Sequence, residues 1–204
     1  MRRRTVTILV AIAAALGSAA TAFAIDSLSY RFDDEGRRQV FHGSFVSSAD
    51  AACVLDVLWE PRHLARYMSG FDSVRVIAAS GDSQIVRYWA HWWFVRNVSD
   101  YRHVLRRAER RVEFALTASS GSGPGVPKFL ESRGWYAVVP RDSGCAVEYE
   151  EHATLGSGLF AGPVRREVQR CAVAFLRGLA RYVGEQCEAP ASRDSGLYPD
   201  RGWR

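Results

Sequence analysis

Hydrophobic and polar positions alternate with period two along most of the chain and switch to a helical period at two places. Arg38 to Val46 alternates weakly and reads as a first strand. Ala51, Val54, Leu55 and Leu58 then recur at helical spacing, so 49–59 reads as a short helix, with Ser47 and Ser48 as N-caps and Asp50 in its first turn. Pro61 suits the first position of a second helix that carries Leu64 and Met68 on one face and ends at Gly70. From Ser73 the period returns to two. Strands are expected from Ser73, over Ser83 to Phe94, Tyr101 to Arg107, Arg110 to Ala118, 131–140 and 144–154. Turns fall at Gly81-Asp82 and Arg141–Gly144, and a glycine- and proline-rich loop at 119–128 breaks the sheet. The last element begins near Pro163. Val164, Val168, Cys171, Ala172, Phe175, Leu179 and Val183 form one face of it, and Arg166, Arg170, Arg177 and Arg181 the other. The pattern predicts an α+β protein: a curved, seven-stranded antiparallel sheet around a long C-terminal helix.

The ends of the chain read differently. Arg2, Arg3 and Arg4, an apolar run from Val6 to Ala15, and Ala22-Phe23-Ala24 have the form of a signal peptide over 1–24, so a periplasmic or secreted location is expected. An uncleaved N-terminal anchor is the competing reading. Residues 25–37 are mixed and polar and read as a lead-in; 188–204 lack periodicity and read as a disordered tail.

Composition adds limits. The chain has 204 residues, 48% hydrophobic and 24% charged, which is ordinary for one domain. The net charge of +5 owes three units to the leader arginines. The remaining balance of about +2 is too mild to argue for nucleic acid. Cys53, Cys145, Cys171 and Cys187 contain no C-x-x-C pair, which argues against a zinc ribbon or a thioredoxin-like site. Cys171 and Cys187 lie roughly 24 Å apart along one helix, too far for a bond.

No nucleophile elbow, P-loop or metal-spaced histidine set is present, and no cofactor is expected. Glu148, Glu150 and His152 share a strand face that reads as solvated. In Tyr88-Trp89-Ala90-His91-Trp92-Trp93-Phe94, Tyr88 and Trp92 share one face and can line an apolar site or pack as plain core. His103 shares parity with Tyr101 and could point inward. The inward sets expected from alternation are Val112/Phe114/Leu116, Trp135/Ala137/Val139 and Cys145/Val147/Tyr149, facing Cys171, Phe175 and Leu179. The arginine stripe could touch anionic lipid transiently, but a solvated face balanced by Glu167 and Glu185 is the preferred reading.

The order of elements resembles the START-like, polyketide-cyclase and lipid-transport (SRPBCC) superfamily with its helix-grip fold. The residues that carry the resemblance are Ser47 to Asp50 leading into Val57-Leu58, the Arg62–Met68 segment, Gly134-Trp135 with Pro140, Tyr149-Glu150, and Gly158 to Pro163. It covers residues 38–187. It implies a monomer that binds a lipid, sterol or quinone-like molecule between sheet and helix, with Tyr88, Trp92, Tyr101, His103, Phe114, Trp135, Tyr149, Phe175 and Leu179 as ligand-binding candidates. Small helices that cradle the far end of the last helix, as in this fold, would bring Cys53 to Cys187 and set Cys145 opposite Cys171. Two alternatives stand beside the carrier: a cyclase-like or hydrolase-like enzyme using an inward His or Tyr, and an interaction module with a filled core.

The leader reading has a direct check. N-terminal sequencing of the exported protein is expected to return Ile25; a chain retaining Arg2–Arg4 in the membrane fraction is the contrary result.

Overall fold

The computed structural model describes residues 28–35, 38–67, 71–92, 95–122, 129–156 and 161–188. The leader over 1–24 and residues 189–204 of the expected tail lie outside the described residues, whereas Glu188, expected as the first residue of that tail, belongs to the ordered turn Gly184–Glu188.

Eight strands form one antiparallel sheet. They are β1 (Leu28–Glu35), β2 (Arg38–Ser47), β3 (Ser73–Ser80), β4 (Ser83–Trp92), β5 (Val95–Arg106), β6 (Arg111–Ser122), β7 (Phe129–Arg141) and β8 (Gly144–Leu155). Helices α1 (Ala51–Trp59) and α2 (Pro61–Tyr67) follow β2, and α3 (Ala161–Val183) follows β8. The strand order is β1-β2-β8-β7-β6-β5-β4-β3. Among the described residues no helix is long and apolar enough to cross a membrane.

Several boundaries differ from the sequence expectation. The sheet has an eighth strand, because part of the expected lead-in is β1. Leu28, Tyr30 and Phe32 alternate with polar residues there and pair with Phe45, Gly43 and Phe41 of β2. β5 starts well before Tyr101, and β6 continues through Ser119 to Ser122 in pairing with β5. The expected loop 119–128 is therefore a strand in its first part; 123–128 lie outside the described residues. Asp50 is the N-cap of α1, accepting from the Ala52 and Cys53 amides at 2.9 and 3.2 Å, and does not sit in the first turn. Ser47 instead accepts from the Ala49 amide at 3.1 Å.

β7 has the opposite parity to the one expected. Tyr136 and Val138 are buried, and Val139 is 40% exposed. Register explains this: Tyr136 lies between Val112 and Tyr149, both inward, and directly paired residues share a face. The run Trp135-Tyr136-Ala137-Val138-Val139 is apolar at both parities, so alternation alone could not orient it.

α3 covers the inner face. Phe175, Leu176, Leu179, Ala180 and Val183 are buried, and Arg166, Arg170, Arg177 and Arg181 face solvent. The helix comes so near β2 that a Cβ on Gly43 would fall 2.6 Å from Leu176 Cδ2. Its far end is tied down. Cys187, in a π-helical turn after α3 (Gly184–Glu188), is disulfide-bonded to Cys53 of α1, with Cα atoms 5.9 Å apart. The Glu188 carboxylate accepts from Ser47 Oγ at 2.6 Å and from the Ser48 amide at 2.9 Å. His63 Nδ1 and Tyr182 Oη, 2.7 Å apart, join α2 to α3. Cys145 and Cys171 are free thiols. Burial pushes the Cys145 thiol up to about 11, which keeps it unreactive at neutral pH.

The bridge joins residues 134 apart in sequence. A Cys53→Ser variant is expected to lose about 2–5 kcal/mol in urea unfolding. An unchanged midpoint in the variant would show that α3 is held without the bridge.

Candidate functional site

The inner face is built from transverse rows of paired residues. One row runs Gln84 (β4), His103 (β5), Phe114 (β6), Gly134 (β7), Glu151 (β8), Phe41 (β2) and Phe32 (β1). The neighbouring row contains Leu105, Val112, Tyr136, Tyr149, Gly43 and Tyr30. Rings therefore dominate the surface that α3 faces. Phe175 stands 5.3 Å from the Tyr149 ring, 6.1 Å from Tyr136 and 6.1 Å from Tyr67. Phe114 stacks on Tyr149 at 5.9 Å, and Phe41 meets Tyr149 edge-on at 5.5 Å. Such offset and edge contacts are each worth about 0.5–1.5 kcal/mol beyond area burial.

Beside Gln84, whose Nε2 donates to the Trp59 carbonyl at 3.0 Å, two polar groups interrupt this lining. The first is Tyr88 with His103: Tyr88 Oη and His103 Nε2 share a hydrogen bond of 3.1 Å, and both residues are buried. His103 Nδ1 is buried without a partner among the described residues. Burial holds the imidazole neutral, with its pKa lowered from 6.5 to about 4. Burial likewise raises the Tyr88 phenol well above its ordinary value.

The second group centres on Glu151. Tyr149 Oη donates to Glu151 Oε2 at 2.6 Å, and Ser132 Oγ donates to Oε1 at 2.7 Å. Burial, then the Glu151 charge, raises the Tyr149 and Tyr101 phenols. On β2, two pairs from Glu151's own partner Phe41, lies buried Gln39, whose Nε2 also has no partner among the described residues. Gly134 separates Phe114 from Glu151: a Cβ there would fall 2.0 Å from the Glu150 carbonyl oxygen and 2.6 Å from Phe114 Cζ. Both polar groups therefore look into one ring-lined interior.

The pairing of β6 with β7 ends beside the Glu151 group. β6 and β7 pair from Arg111–Ala137 to Ala115–Arg133. Beyond that point the described part of β6 pairs with β5, and that of β7 with β8. Ser132 and Glu151 lie next to this parting.

Of the expected ligand residues, Tyr88, Tyr101, His103, Phe114, Tyr149, Phe175 and Leu179 gather on the inner side. Trp135 does not. It lies on the outer face, where the Arg111 guanidinium stacks over its ring at 4.4 Å in a groove of about 480 Å³. The Trp92 side chain, with Trp93 and Phe94, lies outside the described residues. Trp89 faces away from the interior, 6.0 Å from the Arg87 guanidinium. Glu150 and His152 are on the outer face as expected, bonded to each other at 2.7 Å, with His42 at 3.1 Å from Glu150. Among the described residues no three His, Cys, Asp or Glu side chains come together as a metal site. Sequence reading missed Glu151, Ser132 and Gln39. The signal for Glu151 was present: it continues the inward series Cys145, Val147, Tyr149 by two.

Compared as folds, the chain resembles three solved proteins. The Zhui aromatase/cyclase from Streptomyces sp. R1128 matches with a TM-score of 0.60 and 16% identity, over 72% of this chain and 94% of that one. A STAR-related lipid transfer protein from Xanthomonas axonopodis gives 0.58 and 15%, over 76% and 92%. A START superfamily protein from Mycobacterium smegmatis gives 0.52 and 14%, over 73% and 97%. No family model and no curated protein matches the sequence. The chain has the helix-grip fold of START-like proteins.

His103 provides a test of this interior. The unfolded chain takes up its proton near 6.5 and the folded one only near 4. The unfolded state thus binds more protons between these values, and stability falls as pH drops through that window. The loss is roughly 3 kcal/mol for this one group. His103→Gln is expected to remove that part of the pH dependence when the two proteins are unfolded in urea from pH 7 to 4; identical pH profiles would place the imidazole in contact with water.

Proposed function

We propose that the protein is an exported, monomeric binding or carrier protein for a hydrophobic small molecule, a lipid, sterol or quinone-like compound, held between the sheet and α3. The observation that carries this reading is the interior itself. It is lined by rings, yet it holds two buried polar atoms, His103 Nδ1 and Gln39 Nε2, with no partner among the described residues. Buried polar atoms in folded proteins are normally satisfied. A hydroxyl or carbonyl on an otherwise apolar guest would supply what is lacking. The apolar body would gain about 25 cal/mol per Å² removed from water. The two neighbours described as a lipid transfer protein and an aromatase/cyclase have the same fold, which supports the choice of interior. Export is supported by the arginines, apolar run and Ala22-Phe23-Ala24 of the leader, and by the Cys53–Cys187 bridge, which suits an oxidising compartment.

A second reading, a cyclase-like enzyme, has one specific support. The Tyr88–His103 pair joins a phenol to a neutral imidazole with a free ring nitrogen, so it could pass a proton to or from a bound polyfunctional substrate. The carrier reading needs no such transfer and accounts for the same atoms.

The rings around Phe175 touch one another, so a guest must part them. Replacing Phe175 with Trp adds volume at their centre. A fluorescent fatty-acid or sterol probe is expected to bind the wild type, and Phe175→Trp to weaken it at least about tenfold with an unchanged circular dichroism spectrum. Absence of probe binding in the wild type, together with native mass spectra that carry no lipid from an envelope extract, would leave the filled-core interaction module in its place.

A further inference from the structure

Glu151 is a carboxylate turned toward the inner, apolar side of the sheet. Its inward direction follows from the series Cys145, Val147, Tyr149 and from its pairing with Phe41 and Gly134. Its two hydrogen-bond donors are neutral hydroxyls, Tyr149 Oη and Ser132 Oγ. Among the described residues no cation is paired with it, whereas its neighbour Glu150, on the outer face, meets His42 and His152. A carboxylate offers about four acceptor positions, so these two bonds leave room for more. Removing an anion from water without a counter-charge is costly, and buried charges are ordinarily paired.

The surroundings suit one kind of counter-charge. Phe41 is the β2 partner of Glu151 and Phe114 lies across Gly134 from it, and both rings contact that of Tyr149, whose hydroxyl donates to Glu151. Aromatic faces attract cations, the more so where water is excluded. Gly134 contributes no side chain on one flank, and the parting of β6 from β7 beyond Ala115 and Arg133 lies alongside. A carboxylate set among rings, half-buried and next to the place where β6–β7 pairing ends, is suited to a soft organic cation that brings its own apolar body.

We infer that the interior selects amphiphiles with a cationic head group, an alkylammonium or quaternary ammonium, whose charge is met by Glu151 and the rings of Phe41 and Tyr149. This rests on the carrier reading and narrows it to a ligand class. The tail parts the rings around Phe175 and lies among them, and the head lies toward Ser132. Tyr149 and Ser132 act as positioning residues: their hydroxyls fix the carboxylate and leave its remaining acceptor directions for the guest. An anionic head, a carboxylate or sulfate, would meet Glu151 as a like charge and be disfavoured.

The test uses the whole chain and three probes with one tail: dodecyltrimethylammonium, dodecanol and dodecyl sulfate, titrated calorimetrically below their micelle concentrations, with circular dichroism as a check on folding. The ammonium is expected to bind about tenfold or more tightly than the alcohol, and the sulfate more weakly than either. Glu151→Gln should bring the ammonium down to the level of the alcohol and leave the alcohol unchanged. Equal affinity of ammonium and alcohol in the wild type overturns the inference, and so does an ammonium preference that survives in E151Q; in both cases binding of the alcohol leaves the carrier reading standing. Failure of all three tails to bind removes the carrier reading itself. Should E151Q not fold, the wild-type ranking decides alone: ammonium no tighter than alcohol is the refuting result.

Discussion

The apolar face of the sheet is covered by α3 together with α1 and α2, whose Val54, Val57, Leu58, Leu64 and Tyr67 join the same core, and the architecture depends on how α3 is held. An antiparallel sheet with one wet face must bury the other. α3 does so with Phe175, Leu176, Leu179, Ala180 and Val183, pressed against β2 where Gly43 has no side chain to keep it away. The helix is fixed most firmly at its C-terminal end. There the Cys53–Cys187 bridge and the Glu188 bonds to Ser47 and Ser48 tie it to the junction of β2 and α1. The opposite end of the sheet is where β6 and β7 part and where Ser132 and Glu151 lie. One end of the grip is thus cross-linked, and the other carries Ser132, Glu151 and the end of the β6–β7 pairing. Motion that admits a guest without breaking the bridge has to pivot about the cross-linked end.

The polar groups inside are costly for a core whose stability comes from rings. An unpaired buried donor or acceptor loses about 1–3 kcal/mol. Replacing His103 by an apolar residue of similar volume would remove that loss. Tyr88 accompanies His103 with a single bond and leaves Nδ1 open. Glu151 is treated differently: both of its oxygens are met by hydroxyls, and among the described residues no cation pairs with it. The two arrangements distribute roles within one row of the sheet. His103 presents a neutral, narrow hydrogen-bonding atom, and Glu151, across Phe114 and Gly134, presents a charge.

Much of this was legible in the sequence, and the exceptions have physical causes. The inward series on β6 and β8 could be read because Val112/Phe114 and Cys145/Val147/Tyr149 alternate with charged or small neighbours. On β7 the alternation failed, since Trp135 to Val139 is apolar on both sides: Trp135 is covered from outside by Arg111 through its ring face. An arginine stack lets a tryptophan sit on a wet face, and no periodicity announces it. β1 was missed because its period-two pattern is short and ends in Asp33-Asp34-Glu35, which read as a polar lead-in; pairing with β2 supplies the missing stability. Glu151 was missed because Glu150 and His152 on either side belong to a solvated face, and a charge among charges draws no notice. Its parity alone distinguishes it. The fold itself was legible as a resemblance because the order of elements, two short helices after one strand and a long helix at the end, survives where sequence identity has fallen to 14–16%.

If the interior takes a guest as proposed, the ring packing also decides where selectivity resides. A guest that parts Phe175 from Tyr136 and Tyr149 replaces one apolar neighbour by another. The rings stay out of water, so entry costs only the ring–ring attraction and the side-chain shifts, about 0.5–1.5 kcal/mol for each ring pair. Against this stands the burial of the guest's own surface, which grows with its length. The hydrophobic term is non-directional, so it sets how much apolar volume is accepted and says little about its chemistry. Chemistry is distinguished by atoms that lose if left unmatched. In this interior those are His103 Nδ1, Gln39 Nε2 and the Glu151 carboxylate. On the carrier reading, a site whose tail region is tolerant and whose discrimination is concentrated in His103 and Glu151 on one row and Gln39 two pairs beyond Phe41 would sort guests by head group before it sorts them by length.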